Sequence, residues 1–279
     1  MEEDGLRALC DASAAKLLAL RERIRALPSA LIAFSGGVDS ALVLEIARVE
    51  LGSRAAALTA VSPSLAPREL ALARAFCEER GVRHLVVQGG ELDDPRYAKN
   101  PENRCYFCKS ELYRLCEAQA REHGLSSILD GFNADDRKDH RPGHVAARER
   151  AVLSPLAEAE LGKAEIRAHA WALGLSVWDK PPMPCLASRI PFGTEVTVER
   201  LGALGGAEET LRQLGFRSFR VRYHGEVARI EVADAELPRL FDPALRGQIA
   251  AALKARGFRF VALDLEPFRS GRLSAETRR

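Results

Sequence analysis

The chain has 279 residues, 47% hydrophobic and 29% charged, enough for one large domain or two smaller ones with cores of their own. A net charge of +2 and a pI near 8.2 lack the positive excess of a protein that neutralises many phosphates, so nucleic acid is unsupported as a partner. No run approaches the about 18 uninterrupted apolar residues of a membrane span, and the acidic start (Glu2, Glu3, Asp4) lacks the basic segment of a signal peptide; the expectation is a cytoplasmic protein with no membrane contact. In that reducing compartment the six cysteines point to thiols or metal ligands rather than disulfides.

Leu6, Leu9, Leu17, Leu20, Ile24 and Leu27 recur at helical spacing and predict a surface helix over 6–27. Apolar runs of strand length at 30–34, 55–61, 84–87 and 128–129 then alternate with helical patterns at 41–50, 67–80 and 109–123. Such alternation predicts an α/β fold with a doubly wound parallel sheet. Ligands on these sheets bind beyond the carboxyl ends of the strands, where three segments fall: 35–40, 59–62 and 130–136. Residues 137–150, dense in charge and holding Pro142 and Gly143, read as an exposed loop or lid. After a helix at 163–173, the prolines of 180–185 forbid helix and predict an extended connector. The division expected is therefore 1–190 and 191–279. The second part reads as a smaller α+β domain: helix 196–214, strands 219–223 and 228–232 around His224 and Gly225, helix 243–256 and strand 259–265. The arginine-rich end after Phe268 reads as frayed or as an oligomer contact.

Between the first strand and the helix after it stands Ser35-Gly36-Gly37-Val38-Asp39-Ser40. Two glycines permit a sharp turn and close approach of a ligand, and the helix start offers N–H groups and a positive dipole end, which suits a phosphate. The Walker spacing with its lysine is absent, so the turn is suited to pyrophosphate rather than to transfer of a terminal phosphate. An ordinary turn, with Ser35 and Asp39 only capping the helix, is the plainer alternative. The motif resembles that of the PP-loop ATP pyrophosphatases, which cleave ATP between its α and β phosphates and leave AMP on a substrate oxygen. Ser62, Asn133 and Asp136, on the other two of the three segments that one cleft could gather, are further candidates for the ATP site, and Asp39 and Asp136 are candidate Mg²⁺ contacts or caps.

Cys105 and Cys108 have the gap that lets neighbouring thiolates reach one metal centre, and Cys185 stands in the connector. From spacing alone three readings stay open: a four-iron cluster on three cysteines with one open iron, a structural zinc completed by a histidine such as His123 or His144, or plain thiols with Cys105 and Cys108 as a redox pair. Cys10, Cys77 and Cys116 fall in amphipathic helices and are expected to be small core residues.

Across nearly its whole length the chain resembles one PP-loop family, the LarE-type sulfur transferases that make the nickel-pincer nucleotide cofactor of lactate racemase. Besides the glycine motif, the likeness lies in Asn103-Arg104-Cys105-Tyr106-Phe107-Cys108-Lys109, the 131–136 segment, Arg141-Pro142-Gly143, Ser154-Pro155-Leu156, Cys185-Leu186-Ala187-Ser188-Arg189, and Arg220-Val221-Arg222-Tyr223-His224-Gly225 with Ala228-Arg229-Ile230-Glu231. The resemblance implies that ATP with Mg²⁺ adenylates a carboxylate of a pyridinium dicarboxylate mononucleotide. Sulfur delivered through Cys185 then displaces AMP to give a thiocarboxylate. Some members surrender that cysteine's own sulfur; those with the extra pair, here Cys105 and Cys108, hold a 4Fe-4S cluster that passes on a non-core sulfide. The same likeness assigns Ser188, Arg189, Arg220 and Arg222 to the substrate, the last two to its phosphate, with Glu231 at a subunit or metal contact. It also implies a homo-oligomer, a hexamer, with sulfide or a sulfur-donor protein as a further partner. Two arginines one residue apart in a strand do share a face and can fork onto a phosphate. Phe132 departs from the pattern, where a small polar residue is usual, as do Phe268-Arg269-Ser270-Gly271-Arg272, where the family tends to a Tyr and a Ser. Rival readings are a cluster-dependent tRNA thiolase, against which stand the balanced charge and the lack of interleaved aromatic and basic residues, and a non-catalytic ATP-binding or zinc-stabilised module.

Overall fold

The apolar runs and glycine turns of the first two thirds of the chain build a parallel sheet between helices. The computed structural model describes residues 3–138 and 142–269; Arg141, Ser270, Gly271 and Arg272, singled out above, lie outside the described residues. In chain order the regular elements begin with helices α1 (Glu3–Ala12) and α2 (Ala14–Arg25), strand β1 (Ala30–Ala33), α3 (Val38–Leu51), β2 (Ala55–Val61), α4 (Pro67–Glu79) and β3 (Arg83–Gln88). They continue with α5 (Pro95–Ala98), α6 (Arg104–Glu122), β4 (Ser127–Leu129), α7 (Pro142–Glu149), α8 (Pro155–Glu158) and α9 (Lys163–Ala172). The last are α10 (Val198–Gln213), β5 (Phe219–His224), β6 (Val227–Val232), α11 (Pro243–Lys254) and β7 (Phe260–Leu263). Among the described residues no helix is long and apolar enough to cross a membrane.

The chain forms two compact units, Met1–Asp94 with Asn103–Met183, and Pro95–Glu102 with Pro184–Arg279. This division falls a few residues before the 190/191 boundary read from sequence and assigns 95–102 to the second unit. In the first unit the strands run in the order β3-β2-β1-β4, every neighbouring pair parallel. All four residues of β1 are buried, as expected of a central strand covered on both faces. One apolar cluster joins Leu20 and Ile24 of α2, Leu42 and Ile46 of α3, Phe76 of α4 and Ile166 of α9; another joins Tyr113, Cys116 and Ala120 of α6 to Ala146 and Ala147 of α7. The expected α/β architecture with a doubly wound parallel sheet is therefore present.

Three local expectations are corrected. The single helix over 6–27 is two helices broken at Ser13, whose buried hydroxyl donates to the Leu9 carbonyl and meets His169 Nε2 at 2.8 Å. A serine that bonds back onto its own helix bends or ends it, and the tie to α9 fixes the break. The charged stretch 137–150 is not a loop throughout: 142–149 form α7, because Ala146 and Ala147 give it an apolar stripe against α6. The helix expected over 109–123 starts earlier, at Arg104, which places Cys105 and Cys108 in its first turns.

In the second unit the sheet order is β5-β6-β7, with β5 and β6 antiparallel and β6 and β7 parallel. Leu201, Leu204 and Leu211 of α10 and Ile249 and Leu253 of α11 are buried with Val221 and Ile230 of the sheet. Thr197 and Asp242 cap these helices, accepting from the N–H groups of Arg200 and Leu245. Segment 95–102 is held here by Asn100, which is wholly buried in the left-handed region (φ 56°) and whose Nδ2 donates to the carbonyls of Pro191 and Thr194 at 2.8 and 2.9 Å. Asparagine suits both demands: it tolerates that backbone and supplies the donor. Asn100→Ala takes the donor from two part-buried carbonyls and puts alanine in the left-handed region, and we expect a loss of about 2–3 kcal/mol in urea denaturation. A loss under about 0.5 kcal/mol would make the clasp incidental.

Candidate active site

In the order β3-β2-β1-β4 the chain winds outward in opposite directions from β1, so the crevice of this sheet lies beyond the carboxyl ends of β1 and β4. Both ends carry sequence-predicted residues. After β1, Gly36 takes φ +70°, and Gly37, the residue before α3, has no side chain with which to cap the first-turn N–H groups. Ser35 Oγ and Ser40 Oγ lie 3.1 Å apart, and Ser40 Oγ also donates to the Gly37 carbonyl. Ser35 is thus tied to Ser40 rather than acting as a plain cap. After β4, Gly131 lies so close to α3 that an added Cβ would stand 2.8 Å from the backbone nitrogen of Ser40. The expected cleft residues Ser35, Gly36, Gly37, Val38, Asp39, Ser40, Asn133 and Asp136 are gathered there.

Asp39 is the centre of the polar contacts. Its carboxylate pairs with the Lys163 ammonium and accepts from Asn133 Nδ2 at 3.2 Å. Asn133 Oδ1 accepts from the backbone N–H groups of Asp135 and Asp136, and Asp136 Oδ2 accepts from that of Asn133. Ser62, beyond β2, donates to Glu91, which also accepts from Ser64 at 2.9 Å. Lys163 and Lys180 were missed in the sequence. Lys163 opens α9, where a cation opposes the helix dipole, and that mismatch was its one signal. Lys180, from the proline-rich connector, donates to the Gly36 carbonyl at 2.9 Å and to Glu69 at 2.7 Å. Phe132 packs flat on the His144 ring, centroids 3.8 Å apart, which gives its departure from a small polar residue a partner. Burial lowers the basicity of His144.

The second unit holds the other predicted residues. The Arg189 guanidinium is 1% exposed and grips Glu208 with two bonds of 2.8 and 3.0 Å. Its remaining arm donates to the Pro184 and Cys185 carbonyls and to Ser188 Oγ. Arg189 therefore shapes the backbone around Cys185, whose own side chain is exposed. Arg222 forks onto Glu231 with two bonds of 3.0 Å and donates to the Ser188 carbonyl. Arg220, opposite Glu231 in the ladder, donates to the Phe219 carbonyl and lies 4.5 Å over the Phe268 ring. Burial first, then the charge of Arg189, pulls Arg220 down to about 10. The guanidiniums of Arg189, Arg220 and Arg222 lie buried with the carboxylates of Glu208 and Glu231, and planar guanidiniums of this kind suit a phosphate or carboxylate.

Cys105 is exposed and Cys108 partly so; three apart in α6, they share a helix face. These two and Cys185 offer accessible thiols, the donor chemistry an iron–sulfur cluster needs, with the pair in the first unit and Cys185 in the second. Among the described residues no three His, Cys, Asp or Glu side chains are grouped to hold a metal ion. His123 and His144, the fourth ligands of the zinc alternative, are engaged by Arg83 and Phe132. Cys77 and Cys116 are buried with their thiols pushed up to about 12, inert packing residues, and burial also raises Cys10.

No family model matches the chain. An uncharacterised protein of Synechocystis sp. is 47% identical over 259 residues, 93% of this chain and 97% of its own length. An uncharacterised protein of Methanocaldococcus jannaschii is 29% identical over 240 residues, 86% of this chain and 90% of its own. A protein of Lactiplantibacillus plantarum named pyridinium-3,5-bisthiocarboxylic acid mononucleotide synthase is 36% identical over 265 residues, 94% of each chain. With a glycine turn at the head of the sheet, a buried arginine group and exposed cysteines all carried within that alignment's span, the chain belongs to the pyridinium-3,5-bisthiocarboxylic acid mononucleotide synthase, or LarE, family.

Proposed function

We propose that this protein inserts sulfur into pyridinium-3,5-biscarboxylic acid mononucleotide, with ATP as the activating substrate and AMP and pyrophosphate as products. The observation that carries the reading is the uncapped start of α3 behind the Gly36 turn, with Asp39 beside it and no Walker lysine. A carboxylate is a poor electrophile, so it must be activated before sulfur can attack. In the reaction we infer, a carboxylate oxygen of the substrate attacks the α-phosphorus of ATP and pyrophosphate leaves. Sulfur then attacks the carbonyl carbon of the acyl adenylate and AMP leaves with the former carboxylate oxygen.

The roles follow from each residue's chemistry. The N–H groups of Gly37, Val38 and Asp39 donate to phosphate oxygens, with Ser35 and Ser40 shaping the turn. Asp39 and Asp136 are the carboxylates suited to Mg²⁺, which would take the place of the Lys163 ammonium at Asp39. Ser62 and Asn133 line the nucleotide side. Arg220 and Arg222 receive the substrate phosphate, Ser188 and Arg189 set the chain around Cys185, and Glu231 holds Arg222 in its fork. Cys105, Cys108 and Cys185 would hold a 4Fe-4S cluster, whose contribution when bound is a transferable non-core sulfide. The protein works in the cytoplasm as a homo-oligomer, a hexamer by its likeness to the family, refilled by sulfide or a sulfur-donor protein.

Two outcomes test this reading. Arg220→Lys keeps the charge but loses the planar fork, so affinity for the dicarboxylate mononucleotide falls about 10-fold or more while ATP affinity holds. A matching loss of ATP affinity would move Arg220 into the nucleotide site. In anaerobically purified protein, Ser at 105, 108 or 185 removes bound iron and labile sulfide and stops thiocarboxylate formation, while AMP is still formed. Loss of one sulfur from Cys185 after turnover, seen by mass spectrometry with full activity in Cys105→Ser, would replace the cluster by a sacrificial cysteine.

A further inference from the structure

Lys180 has no part in the reading above, yet it is the most deliberately held charge beside the glycine turn. Its ammonium lies 2.9 Å from the Gly36 carbonyl and 2.7 Å from Glu69 Oε2, with side chains only 14% and 12% exposed. Its main chain is fixed too: Arg167 donates to the Lys180 carbonyl at 2.7 Å and to the Trp178 carbonyl at 2.8 Å. The turn is closed from the same side by α4, since a Cβ on Gly36 would meet Ala73 at 3.5 Å and the Glu69 carbonyl at 3.7 Å.

The Gly36 carbonyl and the Gly37 N–H are the two ends of one peptide group. A cation on the oxygen withdraws electrons through the conjugated unit and makes the N–H a stronger donor, and an anion on the N–H makes the oxygen a stronger acceptor. Among the described residues the Gly37 N–H makes a long contact of 3.4 Å, to Ser35 Oγ. It is therefore ready to exchange that contact for a better acceptor. A phosphate there tightens the hold on Lys180, and Lys180 tightens the hold on phosphate by the same free energy.

What Lys180 holds is the start of Pro181-Pro182-Met183-Pro184-Cys185. Each proline fixes its own φ and keeps the residue before it extended, so this stretch has few soft torsions to absorb a change at its origin. Five residues on from Lys180 stands the cysteine that the proposed reaction uses. We propose that Lys180 is a positioning residue that couples phosphate occupancy of the glycine turn to the setting of the connector carrying Cys185. The proposal rests on the nucleotide reading of that turn. Its consequence is order: the sulfur-bearing segment settles once nucleotide is bound, so that sulfur is in place when the acyl adenylate forms and less of it is lost to hydrolysis.

The test is hydrogen exchange read by mass spectrometry, with and without a non-hydrolysable ATP analogue and Mg²⁺. It compares wild type with the double variant Lys180→Met, Glu69→Gln, in which neither partner leaves a buried charge behind. In wild type the analogue slows exchange at 36–41 and also, by about fivefold or more, at 183–188. In the double variant the protection at 36–41 remains and that at 183–188 is lost. Protection at 36–41 alone in wild type, or protection at 183–188 that survives in the double variant, overturns the coupling and leaves the nucleotide reading standing. No protection at 36–41 in wild type brings down both. Should the double variant fail to fold, the single variant Lys180→Gln, which keeps a donor but not the charge, is read in the same way.

Discussion

The first unit depends on one close approach. The backbone leaving β4 at Gly131 runs against the first turn of α3, and a methyl group there would stand 2.8 Å from Ser40 N and 3.2 Å from the Asp39 carbonyl carbon. Only glycine allows it. Because of this contact the 130–136 segment reaches Asp39: Asn133 bonds the carboxylate, and Asp135 and Asp136 fold back on Asn133. Without it the ends of β1 and β4 would carry two separate loops, and the crevice at the switch of winding direction would have only one wall. The polar groups that gather there can be satisfied because backbone, not bulk, fills the gap.

The second unit is organised by charge instead. Buried pairs such as Arg189 with Glu208 and Arg222 with Glu231 add little net stability over apolar packing, yet removing one partner costs about 3–5 kcal/mol. Their value lies in geometry. Arg189 ties α10 to the carbonyls of Pro184 and Cys185, and Arg222 ties the sheet to the carbonyl of Ser188, so the 3₁₀ turn Leu186–Arg189 is held at both ends. Arg220 is buried beside them, its guanidinium 4.5 Å over the Phe268 ring. A substrate anion entering such a place meets donors already oriented, which spares the cost of arranging them on binding.

Much of this was legible in the sequence wherever a local rule governed. The four parallel strands followed from apolar runs of strand length, and the sharp turn between a strand and a helix from Gly36 and Gly37. What failed was decided at long range. Ser13 breaks the first helix because its hydroxyl donates to the Leu9 carbonyl and is tied, far along the chain, to His169 Nε2. Cysteine, tyrosine and phenylalanine are indifferent helix formers, so 104–108 gave no helical signal; the buried Tyr113 and Cys116 further along α6 settle the matter. The arginines at 189, 220 and 222 were visible as residues, but not that Glu208 would hold Arg189 while its oxygen also accepts from the Val221 N–H. Lys163 and Lys180 could not be seen at the glycine turn, since only the folded chain brings them there.

The central claim is that a substrate carboxylate is activated by transfer of AMP before sulfur enters. Labelling the carboxylates of the dicarboxylate mononucleotide with oxygen-18 follows the oxygen that leaves. Mass spectrometry after turnover with Mg²⁺ and ATP should find one labelled oxygen in AMP for each thiocarboxylate formed, and none in pyrophosphate. Label in inorganic phosphate alongside ADP, or unlabelled AMP beside a finished thiocarboxylate, would contradict it.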